Sequence, residues 1–334
     1  MASTLRDVAK RSCVSTGTVS RVLNNKMVMP ISPETVERIK QAARDLQYSP
    51  NAMARALATG RTHTLGLFSK EMTDPHFAQM LEAVEAKASA MGYQVIVSGT
   101  LDPISRKERV DGLLALASPT DPQFEGISER LSSIFVYNES EIQSNLVAWS
   151  DEEGMGLAVK HLADLGHRYI AGLFCYGTGE ETLHPKVLGF RSALENTGIQ
   201  YVECFDMVKP NQRKDGAQCE NGYRATQTLI QEGVPFTAIV ARNDFLALGA
   251  LRALKEAGLA VPHNVSVVGY TDSIHAVCAD PPLTSVRTPI AEAGEIAVER
   301  LIRSIEDRES TFVGTMLPTT LEVRQSSAPC SGRS

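Results

Sequence analysis

The sequence predicts a small all-α head followed by a large α/β body of two parallel-sheet subdomains. Three observations carry that expectation. Residues 1–61 hold short amphipathic segments that begin at helix-capping residues. From Thr64 onward short apolar runs alternate with longer amphipathic ones. The charge divides at the same place: the first 61 residues contain ten Lys/Arg against four Asp/Glu, whereas the other 273 carry 23 against 35. A basic head on an acidic body is the division expected of a nucleic-acid-binding module joined to something else, although charge alone would also fit a solvated basic surface.

Composition narrows the class. The chain has 334 residues, 43% hydrophobic and 22% charged, which excludes collagen-like, disordered and membrane-embedded proteins. At roughly 150 residues per domain, two to three domains are expected. No apolar run approaches the ~20 residues of a membrane span, and MASTLRDVAK has no signal-peptide apolar region, so a cytoplasmic location is expected. The six cysteines are scattered without a C-x-x-C pair. That fits reduced thiols and argues against a zinc ribbon or a disulfide framework.

In the head, Thr4 followed by Asp7 opens a first helix with Leu5, Val8 and Ala9 as its apolar stripe. The turn Ser12-Cys13-Val14 follows, and Ser15 caps a second helix running to about Asn24, with Val14, Val19, Val22 and Leu23 inward. Ser32-Pro33 starts a third, which carries Val36, Ile39, Ala43 and Leu46. Two short helices joined by a tight turn are helix-turn-helix grammar. The second helix offers Thr16, Gly17, Ser20, Arg21 and Asn24 to a partner. Arg grips a guanine edge bidentately, Thr meets a thymine methyl or a phosphate, and Gly17 permits close backbone approach. A helical-hairpin oligomerisation domain is the alternative.

The stretches TLRDVAKRSCVSTGTVSRVLNN and SPETVERIKQAARDLQYSPNAMARALATGRTHTLGL resemble the N-terminus of the LacI/GalR family of bacterial transcription regulators. The similarity continues through HLADLGHRYIAGL, FTAIVARNDFLALGALRALKEAGLAVPHNVSVVGYTD and PPLTSV. It implies a head at 1–48 that reads double-stranded operator DNA, with Thr4, Ser15, Thr16, Gly17, Thr18, Ser20, Arg21 and Asn24 as its contacts. One departure is Cys13, at a turn position where the family usually has Gly; a positive φ there costs some strain.

The segment 49–61 is expected to be a hinge. Pro50 biases Ser49 toward extended backbone and then opens about eight residues of helix, too short to be stable alone in water. Such a segment orders on contact. The resemblance places it, paired in a homodimer, in the DNA minor groove, with Asn51 and Ala54 against the duplex and Leu57 wedged into a base step. An ordinary linker is the alternative.

The body's runs TLGLF, YQVIV, YIAGLF, FTAIV and VSVVG alternate with helical segments at 75–91, 184–198 and 243–258. That pattern implies parallel strands with helical crossovers. About 270 residues exceed one sheet, so a ligand cleft between two subdomains is expected at the carboxyl ends of the strands. The resemblance implies a periplasmic-binding-protein-like body crossed three times, near 158, 288 and 318. The expected subdomains are therefore 62–157 with 289–317, and 158–288 with 318–330. Only SGTLDPISRKER separates Val97 from Val110, so the crossover helix there is expected to shrink to a turn or two around 104–109.

Catalytic readings find little support. His161 and His167 lack zinc-helix spacing, and the resemblance makes them structural. Gly177-Thr178-Gly179 lacks the Lys-Ser/Thr ending of a phosphate loop, no G-x-S-x-G occurs, and the sequons at Asn138 and Asn264 would go unmodified in a cytoplasmic protein. No catalytic residue, metal or cofactor is therefore assigned, beyond a small-molecule effector. Candidate effector-binding residues are His76 and Phe77, in a stretch that resembles the family's first pocket loop, Tyr137 and Trp149 as walls or core, and Arg242 and Asn243 after the strand FTAIV, where the resemblance implies that Asn243 meets a ligand hydroxyl. Lys186 and Thr271 stand where the family usually places an Arg that clamps the ligand and an Asp that accepts sugar hydroxyls. A cation kept without that carboxylate would favour an anion, because a buried unpaired Lys is costly. The expected effector is accordingly a sugar acid or sugar phosphate, with a neutral sugar as the alternative and Asp272 as a substitute carboxylate. The function expected is a homodimeric, nucleoid-associated regulator, most simply a repressor, of carbohydrate-related genes. A solute-binding protein would share the body but not the head, and a sugar-modifying enzyme would need an acid–base pair in the cleft that the spacing does not offer.

Overall fold

Among the described residues, the head is built of three helices, and each starts where its sequence dictates. In the computed structural model the described residues are 3–23, 31–48, 60–70, 72, 75–106, 108–138, 144–174, 184–195, 197–204, 217–307 and 312–330. Helix α1 (Leu5–Ser12) opens with a reciprocal capping box between Thr4 and Asp7. Ser15 Oγ accepts from the Thr18 N–H at 3.1 Å at the start of α2 (Thr16–Leu23), and Ser32 Oγ accepts from Thr35 N–H at 3.3 Å ahead of α3 (Pro33–Asp45). Val8, Ala9, Val19, Val22, Ile39, Ala42 and Ala43 form the core, with Val36 and Leu46 packed at its edge. Cys13 ends α1 at φ 53°, the left-handed conformation that a Gly would take without strain. Arg38 Nε donates to the Ser12 carbonyl at 3.0 Å, tying α3 to the turn.

The chain divides into two units, Met1–His63 and Thr64–Ser334. The second contains two six-stranded sheets. The first has the order β11-β5-β4-β3-β1-β2, comprising β1 (Thr64–Phe68), β2 (Gln94–Ser98), β3 (Gly112–Leu116), β4 (Ser132–Asn138), β5 (Leu146–Trp149) and β11 (Thr315–Leu317). The second has the order β12-β10-β9-β8-β6-β7, comprising β6 (Tyr169–Leu173), β7 (Gln200–Cys204), β8 (Ala238–Ala241), β9 (Ser266–Thr271), β10 (Thr284–Arg287) and β12 (Thr320–Glu322). Every pairing is parallel except β10 with β12. That is the predicted two-subdomain α/β architecture.

Helices α4 (Pro75–Ala90) and α11 (Ile290–Asp307) pack together on one face of the first sheet, over Leu65, Leu67, Leu114, Ile134, Val136 and Val147. Its other face is covered by short elements, among them a 3₁₀ turn (Asp102–Ile104) and α5 (Ile127–Arg130). The expected shortened crossover is thus a single 3₁₀ turn at 102–104, ahead of the place where the sequence put it. Ile104 is fully buried there, so close to β1 that a Cβ on Gly66 would lie 2.8 Å from the Ile104 Cβ.

In the second subdomain, α6 (Asp151–Asp164) and α7 (Pro185–Leu194) cover one face, while α8 (Ala217–Gln231) and α9 (Asp244–Glu256) cover the other. Contact between α8 and α9 is backbone to backbone. A Cβ on Gly249 would lie 2.0 Å from the Cys219 carbonyl oxygen, and one on Gly222 would lie 2.1 Å from that of Leu246. Met155, Ala158, Val159 and Leu162 of α6 belong to the core of the second sheet. The first passage between subdomains therefore falls at Ser150 rather than near 158. The other two follow β10 and β11, at Thr288–Pro289 and Pro318–Thr319.

Candidate functional site

On α2, Thr16, Gly17 and Arg21 are exposed, Thr18 and Ser20 are half-buried, and Val19 and Val22 face the core. Arg21 Nε donates to the Gly17 carbonyl at 3.2 Å, which lays the guanidinium along the outer face of the helix. A Cβ on Gly17 would meet nothing of the head closer than 3.8 Å. The packing of the head does not demand glycine there. Three of the other candidates already have local partners: Thr4 bonds Asp7, and Ser15 and Thr18 bond each other. Asn24 and the hinge residues Asn51, Ala54 and Leu57 lie outside the described residues.

In the body, Trp149 ends β5, Thr271 ends β9, Tyr137 lies one residue before the end of β4, and Arg242 and Asn243 follow β8. His76 in the first turn of α4 shares a 2.5 Å hydrogen bond with Thr288 Oγ1, and its ring meets Trp149 edge-on at 5.7 Å. Phe77 and Trp149 are each 4% exposed and belong to the first subdomain's core. Tyr137 packs at the edge of the opposite cluster. Asn243 caps α9 by accepting from Leu246 N–H at 2.9 Å, and its amide donates to Gln218. Thr271 has a positive φ of 102° and donates to buried Asp244 at 3.1 Å. Asp244 also accepts from Ser285 and from the Ser273 N–H; burial pushes its carboxyl upward against those bonds.

Two expectations need correction. Asp272 is not a substitute acceptor for hydroxyls: its buried carboxylate is held by Arg287 at 2.8 Å and Arg324 at 2.6 Å, from β10 and the segment after β12. Lys186 is not an unpaired cation. Its Nζ stands 3.8 Å from Asp151 Oδ2, donates to the Arg242 carbonyl at 3.2 Å and lies 3.9 Å above the centre of the Tyr270 ring. The charge that was read as awaiting an anion has a carboxylate beside it.

Asp151 is the functional candidate that sequence reasoning missed. It is 4% exposed and accepts from Asn138 Nδ2 at 2.8 Å, Trp149 Nε1 at 3.1 Å and the Tyr270 hydroxyl at 2.8 Å. The available signal was an acid one residue beyond the apolar run LVAW, behind the helix-capping Ser150, where a parallel strand gives way to a helix. His184 completes the region: its Nδ1 accepts from the Lys186 N–H at 3.2 Å and caps α7. Burial, and next the Lys186 cation, pull its pKa from 6.5 down to about 4, so the ring is neutral near pH 7.

His161 and His167 hold the segment that follows β12. His161 Nε2 bonds Ser327 Oγ at 2.9 Å; His167 bonds Thr237 Oγ1 at 3.0 Å and the Ala328 carbonyl at 3.1 Å. Among the described residues no three His, Cys, Asp or Glu side chains are grouped to hold a metal ion, and no helix is long and apolar enough to cross a membrane. The loop Gly177-Thr178-Gly179 and the sequon residues Glu139 and Ser140 lie outside the described residues.

Comparison with known proteins covers nearly the whole chain. The pattern of bacterial regulatory proteins of the lacI family matches residues 4–51, and that of the periplasmic binding protein-like domain matches residues 159–327. The HTH-type transcriptional repressor PurR of Pectobacterium atrosepticum is 31% identical over 96% of each chain. The structure of the Lac repressor dimer bound to operator and the anti-inducer ONPF superimposes with a TM-score of 0.79 at 27% identity, covering 98% of this chain and 100% of that one. The transcriptional regulator CelR in complex with cellobiose gives 0.63 at 28% identity, covering 97% and 99%.

Proposed function

The chain belongs to the LacI family of bacterial regulatory proteins and is a ligand-responsive DNA-binding regulator rather than an enzyme, and from that premise we propose that it represses carbohydrate-related genes in answer to a neutral sugar. Two heads of a homodimer, residues 1–48 each, read a near-palindromic operator in the bacterial cytoplasm, and the hinges at 49–61 pair and fold on the DNA. Arg21 reads a base edge, Thr16 and Ser20 fix the register, and Leu57 wedges into a base step. The sugar lies between the subdomains, near Lys186, Arg242, Asn243, Thr271 and His76.

The pairing of Lys186 with Asp151 carries the choice of a neutral ligand. A cation already neutralised has less to gain from an anion, and a balanced site of donors and acceptors suits hydroxyl groups. The cellobiose held by CelR supports the same reading. The mechanism is population shift. The sugar prefers one arrangement of the two subdomains, and that arrangement decides whether the hinges can fold on DNA. Decisive switching needs about 5.5 kcal/mol of preference between the two states.

The test uses the single tryptophan, whose indole bonds Asp151. The full chain is titrated with ribose, glucose and cellobiose, then with gluconate and glucose 6-phosphate, while Trp149 emission is followed. A saturable response to a neutral sugar, absent with the acids and lost in Asn243→Ala, is expected. A response to the acids alone overturns the neutral-sugar reading.

A further inference from the structure

Asp151 is almost fully buried, and its partners come from both sides of the subdomain junction. Asn138 and Trp149 belong to strands of the first sheet, Tyr270 to a strand of the second, and Lys186 to the helix α7 that covers it. The phenol is pinned in place: a Cβ on Gly154 would lie 2.4 Å from the Tyr270 hydroxyl oxygen, so the glycine lets the ring sit directly on α6. Trp149 and Tyr270 both donate to Oδ1. A neutral amide at this position could still accept those two bonds through its oxygen, although its NH2 group would lose the bond that Asn138 Nδ2 donates to Oδ2 at 2.8 Å. What it could not supply is charge, and the group facing Oδ2 that answers to charge is the Lys186 ammonium. A buried carboxylate is costly unless a cation and hydrogen bonds offset it, so the ionised form at position 151 and the lysine support one another.

We propose that Asp151 is a specificity-determining residue whose carboxylate neutralises Lys186 and thereby closes the effector site to anionic ligands. The proposal rests on the reading of Lys186 as part of that site. Removing the charge while keeping the shape, as in Asp151→Asn, turns the same cleft into an anion site, with Lys186 donating to a phosphate or carboxylate oxygen.

Inorganic phosphate is the probe, applied to the full chain at constant ionic strength against a chloride control. Thermal unfolding and Trp149 emission are read for the unsubstituted protein, Asp151→Asn, Lys186→Met and the double variant. In Asp151→Asn, phosphate is expected to bind about tenfold more tightly or better, raising Tm in a saturable way. The added response disappears in the double variant. Equal phosphate responses with and without Asp151→Asn overturn the proposal, as does a gain that survives loss of Lys186. Should Asp151→Asn fail to fold, the double variant decides. Recovery of folded protein supports mutual neutralisation, and its absence contradicts it. The probe is independent of the natural effector. If no sugar binds but the substituted protein gains Lys186-dependent phosphate binding, the neutral-sugar reading falls and this one stands. If sugars bind and the gain is missing, the reverse holds.

Discussion

His76 and Thr288, 212 residues apart in sequence, share a hydrogen bond of 2.5 Å between Nε2 and Oγ1. His76 opens α4 on the first sheet, and Thr288 lies in the segment by which the chain returns from the second sheet. The bond therefore spans a place where the two subdomains can change their relation. Because His76 also packs edge-on against Trp149, one ring joins the passage to the neighbourhood of Asp151. Replacing His76 with Ala is expected to shift the effector concentration at half-response by about five- to tenfold, the range of a single coupling contact. The check is a titration of operator release with effector; an unchanged midpoint would remove His76 from the coupling.

Arg21→Ala tests the head. Its guanidinium lies along the exposed face of α2, where Nε donates to the Gly17 carbonyl. Discrimination between the operator and a site altered at one guanine should fall by about 1–3 kcal/mol, while non-specific affinity changes little. Competition binding at fixed salt measures both. Uniform weakening on every sequence would make Arg21 a phosphate contact.

Cys13→Gly should stabilise the head. The residue sits at φ 53° without hydrogen bonds that only a thiol could make, apart from a weak one to Lys10 O at 3.9 Å. Relief of the left-handed strain is worth about 1 kcal/mol, less the entropy a glycine loses on folding. Slower hydrogen exchange of the α1 and α2 amides is the expected result.

Gly249→Ala should do the opposite to the body. Its Cβ would enter the backbone of α8, where no side chain can move aside, and overpacking of that kind costs about 3 kcal/mol or more. Thermal unfolding of the body is expected about 5–10 °C lower. An unshifted Tm would mean that α8 and α9 separate without cost.

The head was legible because its signals are local. Thr4 with Asp7, Ser15, and Ser32 with Pro33 each act within one helical turn of themselves. The alternation of apolar runs likewise revealed parallel strands, since each strand is buried along its own length. The charge logic of the cleft was not legible. Lys186 looks unpaired in sequence because its carboxylate, Asp151, arrives from the start of α6, 35 residues earlier in the chain. Asp272 looks available because Arg287 and Arg324 reach it only through β10 and the segment beyond β12. The crossover after β2 failed by degree: its length forbade a long helix, but did not reveal a 3₁₀ turn at Asp102–Ile104 whose last residue packs on Gly66.

His184 gives the pH dependence. Its pKa is depressed from 6.5 to about 4, so between those values the unfolded chain binds the proton and the folded chain does not. Stability from this group is full above pH 6.5 and falls as pH drops toward about 4. Protonation would also replace the acceptor that caps Lys186 with a second cation. His184→Asn keeps a capping acceptor and cannot titrate, so its unfolding free energy should fall less than that of the parent protein between pH 7 and 5. Parallel curves would show that the imidazole is already solvated.

The account turns on whether occupancy of the cleft controls the hold on DNA. The most direct measurement is the affinity of the full chain for a palindromic operator, selected from random duplexes by the protein itself, with and without a saturating neutral sugar at one salt concentration. A change in Kd of about a hundredfold, which is within the usual range of allosteric coupling, is predicted, and it should be lost in Asn243→Ala. The same Kd with the cleft full and empty would contradict the account.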